Sequence, residues 1–100
     1  MSLEIFTQKV QNLAQEKGGE LNSTVNFATE EGVVFLDATQ SPAVVNNDEG
    51  QDAACTIKLK TKDGIRMMDG NLSAVTAFMT GKLKITGDMG IAMKVSKIIG

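Results

Sequence analysis

Histidine, tryptophan and tyrosine are absent from this chain of 100 residues, and cysteine and proline occur once each. Without histidine there is no imidazole base, no histidine-based triad and no histidine metal ligand. One thiol, Cys55, excludes an internal disulfide and a cysteine-rich zinc site. The only aromatic residue is Phe, which occurs four times, so stacking platforms for single-stranded nucleic acid are poorly supplied. A net charge of −2 gives no general attraction for phosphate backbones, and nucleic acid is not an expected partner. No apolar run approaches the ~20 residues of a membrane span. What remains is ordinary: 42% hydrophobic and 22% charged residues, the balance of one folded domain over residues 1–100.

The motifs add little chemistry. Asp48, Glu49 and Asp52 fall in a polar loop that does not complete a calcium-loop pattern. Gly87-Asp88-Met89-Gly90 lacks the spacing of a phosphate loop. Cys55 is on the inward side of a strand with no base to activate it. The reading is of a non-enzyme without metal or cofactor. Charge is unevenly placed: residues 1–50 carry two basic and eight acidic groups, residues 51–100 eight basic and four acidic. This describes either two attracting surfaces within one fold or a weakly basic face that meets anionic head groups. The N-terminus has no basic region and apolar core of a secretory signal, and Lys97-Ile98-Ile99-Gly100 is not the Ser-Lys-Leu address, so the expected location is cytoplasmic.

Periodicity predicts the elements. Leu3, Phe6, Val10 and Leu13 mark an amphipathic helix over 3–17, with Ser2 as its cap and Gly18-Gly19 as its stop. Residues 21–28 alternate as a half-buried strand, and Val33–Leu36 form a second strand after the turn at Glu30-Glu31-Gly32. Pro42 leads into an edge strand from Ala43 to Asn46. Cys55–Lys60 alternates cleanly. A short helix opens at Asp63 and ends near Gly70, a second runs from Ala74 to Thr80 behind Ser73, Lys82–Thr86 is a strand, and Asp88 caps a helix from Met89 to Ile99. The order α-β-β-β-β-α-α-β-α describes an α+β two-layer domain with a mainly antiparallel sheet.

Three features stand out. The last helix is apolar around more than the usual ~100° stripe. Five of the six methionines fall between 67 and 93, a type suited to adaptable apolar surfaces. Lys58, Lys60, Lys82 and Lys84 alternate outward on two strands and form a basic stripe if those strands pair.

Residues 77–95, Ala-Phe-Met-Thr-Gly-Lys-Leu-Lys-Ile-Thr-Gly-Asp-Met-Gly-Ile-Ala-Met-Lys-Val, resemble the signature of the sterol carrier protein-2 domain family. Ala54-Cys55-Thr56-Ile57 and Asp69-Gly70-Asn71-Leu72 are similar too. The resemblance implies a small α+β carrier whose five-stranded sheet and helices enclose an apolar tunnel. It also implies lipid partners: fatty acid or acyl-CoA first, sterol or phospholipid next, with transient contact to a membrane or lipid enzyme. The expected state is a monomer or weak dimer. The short C-terminal end, where family members can carry a tail that helps close the tunnel, implies a more exposed last helix or a more open mouth, and the stand-alone form without a peroxisomal address suggests a prokaryotic type. Strand alternation and helix spacing select the candidate lining: Val25, Phe27, Phe35, Ile57, Leu59, Ile65, Met68, Leu72, Val75, Phe78, Met79, Leu83, Ile85, Met89 and Met93. The short helices after Asp63, beside Gly64, Gly70 and Gly81, are the expected lid. Two other readings stay open: an interaction module with a filled core, and an accessory that presents acyl-CoA to an enzyme with Lys82, Lys84 and Lys94 on its phosphates.

Overall fold

Apolar residues at three- and four-residue spacing seat the first helix, and alternation seats each strand, in a computed structural model that describes residues 2–49 and 52–99. In chain order the elements are α1 (Ser2–Leu21), β1 (Thr24–Thr29), β2 (Gly32–Asp37), β3 (Val44–Asn46), β4 (Cys55–Lys58), α2 (Thr61–Met68), α3 (Ala74–Met79), β5 (Lys84–Gly87) and α4 (Met89–Ile99). The strands form one sheet in the order β3-β2-β1-β4-β5. The β1–β2, β2–β3 and β4–β5 ladders are antiparallel and the β1–β4 ladder is parallel. The architecture is therefore α+β, with a mixed and mostly antiparallel sheet.

Register sorts the sheet into two faces. Val25 pairs with Leu36 and Cys55, Phe27 with Val34 and Ile57, and Ile57 with Ile85. All but the half-buried Ile85 are buried, and they meet Phe6, Val10, Ala14 and Leu21 of α1 in one core. Phe6 and Phe27 meet edge to face, with ring centroids 5.6 Å apart, a geometry worth about 0.5–1.5 kcal/mol beyond burial. The opposite face carries Asn26, Phe35, Thr56, Lys58 and Lys84.

Several boundaries differ from the sequence reading, among them β4, which ends at Lys58 rather than Lys60. α1 runs through Gly18-Gly19 instead of stopping there. A Cβ at Gly18 would come 3.3 Å from the Ala43 Cβ, so the glycine serves close packing against the sheet's edge. Leu21 is buried in the final turn, and Asn22, at φ 45°, ends the helix with its N–H donating to the Gly18 carbonyl. Ser2 lies inside α1 rather than before it. β1 consequently starts at Thr24, three residues late. α2 starts at Thr61, where Lys60 supplies no side-chain cap; Glu30, from the β1–β2 turn, accepts from Thr61 N at 2.9 Å instead. β5 starts at Lys84, with Leu83 already buried ahead of it.

Ser73 and Asp88 act as the sequence suggests. Ser73 Oγ accepts from Thr76 N at 3.4 Å, and Asp88 Oδ1 accepts from Gly90 N at 2.8 Å and Ile91 N at 3.3 Å. In the predicted polar loop, Asp48, Glu49 and Asp52 are exposed, while Gly50 and Gln51 lie outside the described residues. Among the described residues no group of acids, Cys and His could hold a metal ion, and no helix is long and apolar enough to cross a membrane.

Candidate functional site

The wide apolar arc of α4 has two consequences. Val95, Ala92 and Ile98 turn inward to the core, and Met89 and Met93 are left on the open side. Facing them is α3, six residues long, of which only Ala77 is buried. Between these helices and the β4–β5 end of the sheet lies a cleft of about 170 Å³. Ile57, Leu83 and Ile85 form its floor, Met67, Ala74, Val75 and Phe78 one wall, and Met89, Ala92, Met93, Val95, Ser96 and Ile99 the other. The Ser96 hydroxyl is the one polar side chain in that lining.

Seven of the fifteen expected lining residues meet there: Ile57, Val75, Phe78, Leu83, Ile85, Met89 and Met93. The structure places the others elsewhere. Val25 and Phe27 are fully buried under α1. Phe35 is buried on the far face of the sheet, because a strand residue one position away from Leu36 must point the other way. Leu59 is buried where the chain leaves β4, beside a second, lysine-lined groove. Ile65 and Leu72 are half-buried against the core, and Met68 faces Lys9, Leu13 and Ile99 next to α1. Met79 is the most exposed of the large apolar side chains among the described residues, at 78%. Six lining residues were not anticipated: Met67, Ala74, Ala92, Val95, Ser96 and Ile99. Met89, Ala92, Met93 and Ser96 follow helical spacing, so Ala92 and Ser96 are legible in the sequence from Met89 and Met93.

The expected lid divides into two unequal parts. α2 is docked: Thr61, Asp63, Gly64 and Met67 are buried, and Gly64 lies so close to α1 that a Cβ there would come 2.7 Å from the Phe6 ring. Gly64 is thus a packing position rather than a hinge. α3 is lightly held, and Gly70 and Gly81 beyond its two ends both have φ +79°.

The second groove is larger, about 550 Å³, and lies across the β4–β5 edge. Lys58, Lys60, Lys62, Lys82 and Lys84 line it, with Glu30 and Asp63. The pairing that the basic stripe required is present: Lys58 lies directly opposite Lys84. The buried Cys55 thiol is pushed above its ordinary value by burial, with the Asp88 carboxylate adding to the shift. It contributes no nucleophile.

A five-stranded mixed sheet with helices over one face, and an apolar cleft between that sheet and its last two helices, defines a small α+β domain suited to holding an apolar group. The chain belongs to the SCP-2 sterol transfer family, whose model matches residues 4–100. It is 40% identical over 72 residues to hydroxysteroid dehydrogenase-like protein 2 of Xenopus tropicalis, covering 71% of this chain and 17% of that protein. It is 35% identical over 104 residues to sterol carrier protein 2 of Rattus norvegicus, covering 94% of this chain and 19% of that protein. The chain therefore spans less than a fifth of the length of these relatives. In fold it is similar to the sterol carrier protein domain 2 of Helicoverpa armigera, with a TM-score of 0.74, 22% identity, and coverage of 96% of this chain and 80% of that one. Membership places the chain among sterol and lipid carrier domains.

Proposed function

We propose that the chain, as a single domain over residues 1–100, is a non-catalytic cytoplasmic carrier. It takes the acyl tail of a fatty acid, a fatty acyl-CoA or a related lipid between α3, α4 and β4–β5. The observation that carries this reading is the cleft itself: apolar on every side but for Ser96, and rimmed by exposed Val75, Phe78, Met89 and Met93. A tail offers no directional groups, so its site needs area and shape. Methionine walls suit lipids of differing length.

Volume sets the terms of binding. A cavity of this size holds about six carbons, as a dry engineered cavity of ~150 Å³ holds benzene. At about 0.8 kcal/mol per methylene, six carbons yield about 5 kcal/mol, which is near millimolar affinity before costs. A sixteen-carbon tail would yield about 12 kcal/mol and reach the micromolar range after losses of ligand and loop freedom. A long tail therefore requires α3 to move away from α4. Discrimination between neighbouring chain lengths is weak, since one methylene changes little.

Native mass spectrometry of the purified chain, followed by extraction and identification of the lipid, tests the reading. One acyl lipid per chain is the expected result. A clean apo mass, unchanged on adding C14–C18 fatty acids and acyl-CoAs, overturns it. The exposed rim also fits the second reading, a self-association surface over a filled core, and the same spectrum would then show a concentration-dependent dimer without lipid.

A further inference from the structure

The acyl cleft leaves the larger groove across β4–β5 without a role, and its composition is unusual. Five lysines line it and only two carboxylates, which leaves three positive charges on a chain of net charge −2. The lysines are not interleaved with acids. Lys58 of β4 sits directly opposite Lys84 of β5. Like charges directly opposite each other destabilise a sheet. Lys84 belongs to an edge strand, where lysine guards against strand addition, but Lys58 belongs to the interior strand β4.

Glu30 is already engaged, and Asp63 is buried with Arg66 as its nearest cation. Glu30 Oε1 accepts from Thr61 N at 2.9 Å and Thr61 Oγ1 at 3.2 Å, and Asp63 lies 3.7 Å from the Arg66 guanidinium. Glu30 shows what the groove attracts: an anionic oxygen seated at the start of α2, where the helix dipole is positive. Its carboxyl is held below the usual range by the Thr61 backbone bond, with Lys60 adding to the effect. Lys58, Lys82 and Lys84 have no comparable occupant. Apart from Ala28 and Leu59 the lining is polar or glycine, and it contains no aromatic ring on which a base could stack.

We propose that this groove is an anion site for a phosphate ester, held chiefly by Lys58, Lys82 and Lys84, on the opposite side of β4–β5 from the acyl cleft. Three surplus charges match a phosphomonoester or diphosphate; a single carboxylate would leave two uncompensated. Lysine ammoniums act as point charges on such a group and need no fixed fork. The anion relieves the Lys58–Lys84 repulsion that the empty sheet carries. The inference goes beyond the carrier reading and does not rest on it, since the phosphate binds with or without an acyl tail.

The test is a titration of the 15N-labelled chain with inorganic pyrophosphate at low ionic strength, repeated with vesicles of phosphatidylglycerol and of phosphatidylcholine. Saturable amide shifts confined to 58–62 and 81–84 are expected. In K58Q/K84Q affinity falls about tenfold or more, as expected for losing two charge-assisted contacts. K94Q/K97Q leaves it unchanged. The double variant loses a repulsive pair, so its urea midpoint stays level or rises, which separates lost binding from lost folding. Pyrophosphate binding identifies a soluble phosphate ester as sufficient. Binding to phosphatidylglycerol vesicles alone, abolished in K58Q/K84Q, supports the same groove with a lipid headgroup as its source. Absence of both, or equal losses in K58Q/K84Q and K94Q/K97Q, overturns the proposal whatever the acyl cleft does.

Discussion

Cys55, Glu30 and Gly64 each show one side chain or its absence deciding a local outcome. Cys55 is buried, and burial together with Asp88 favours the neutral thiol over the thiolate. A thiol reagent at pH 8 should therefore leave the native chain unlabelled and label it at once in denaturant; rapid native labelling would contradict the assignment. Glu30 supplies the cap that α2 lacks locally. Its folded pKa lies below the ordinary 4.5, so the stability it adds is complete above that value and fades as pH falls through the depressed one. Glu30→Gln should lower the urea midpoint at pH 7, with the difference from wild type disappearing in acid; a constant difference at all pH would show that the charge is not responsible. At Gly64 a Cβ would strike the Phe6 ring at 2.7 Å. Gly64→Ala should cost about 1–3 kcal/mol in chemical denaturation, the usual range for overpacking a core. A neutral substitution would mean that α1 and α2 are free to separate.

At the level of elements, much was legible because the signals were local. Alternation from Cys55, which the structure carries as a strand to Lys58 rather than Lys60, the Ser73 and Asp88 caps, and the turn at Glu30-Glu31-Gly32 are all properties of a few adjacent residues. What was not legible depended on distant partners. The start of α2 is set by a carboxylate 31 residues upstream in sequence. α1 passes through Gly18-Gly19 because Ala43 needs a close neighbour and Leu21 a place in the core. Phe35 reads as candidate lining by type, but register decides its face, and register is a property of paired strands. α3 is the least anchored helix, with one buried residue against four in α2. Amide exchange should accordingly be much faster across 74–79 than across 61–68 in the lipid-free chain. Equally slow exchange in both helices would remove α3 as the moving wall.

For the molecule as a whole, the central claim is that one apolar cleft, bounded by methionines, accepts an acyl tail. Seven of the candidate lining residues converge on it, while Val25, Phe27 and Leu59 belong to the core and Met79 to the surface. Sequence pattern distinguishes inward from outward; it does not say whether the space an inward residue faces is filled. The methionines make the claim directly measurable. With methionine methyls labelled with 13C, the chain is titrated with deuterated palmitate. The account predicts saturation at one palmitate per chain, with large shifts at Met67, Met89 and Met93, which line the cleft, and little change at Met68, which lies beside α1. Shifts at the exposed Met79 alone, or unsaturable shifts across every methionine, would contradict it.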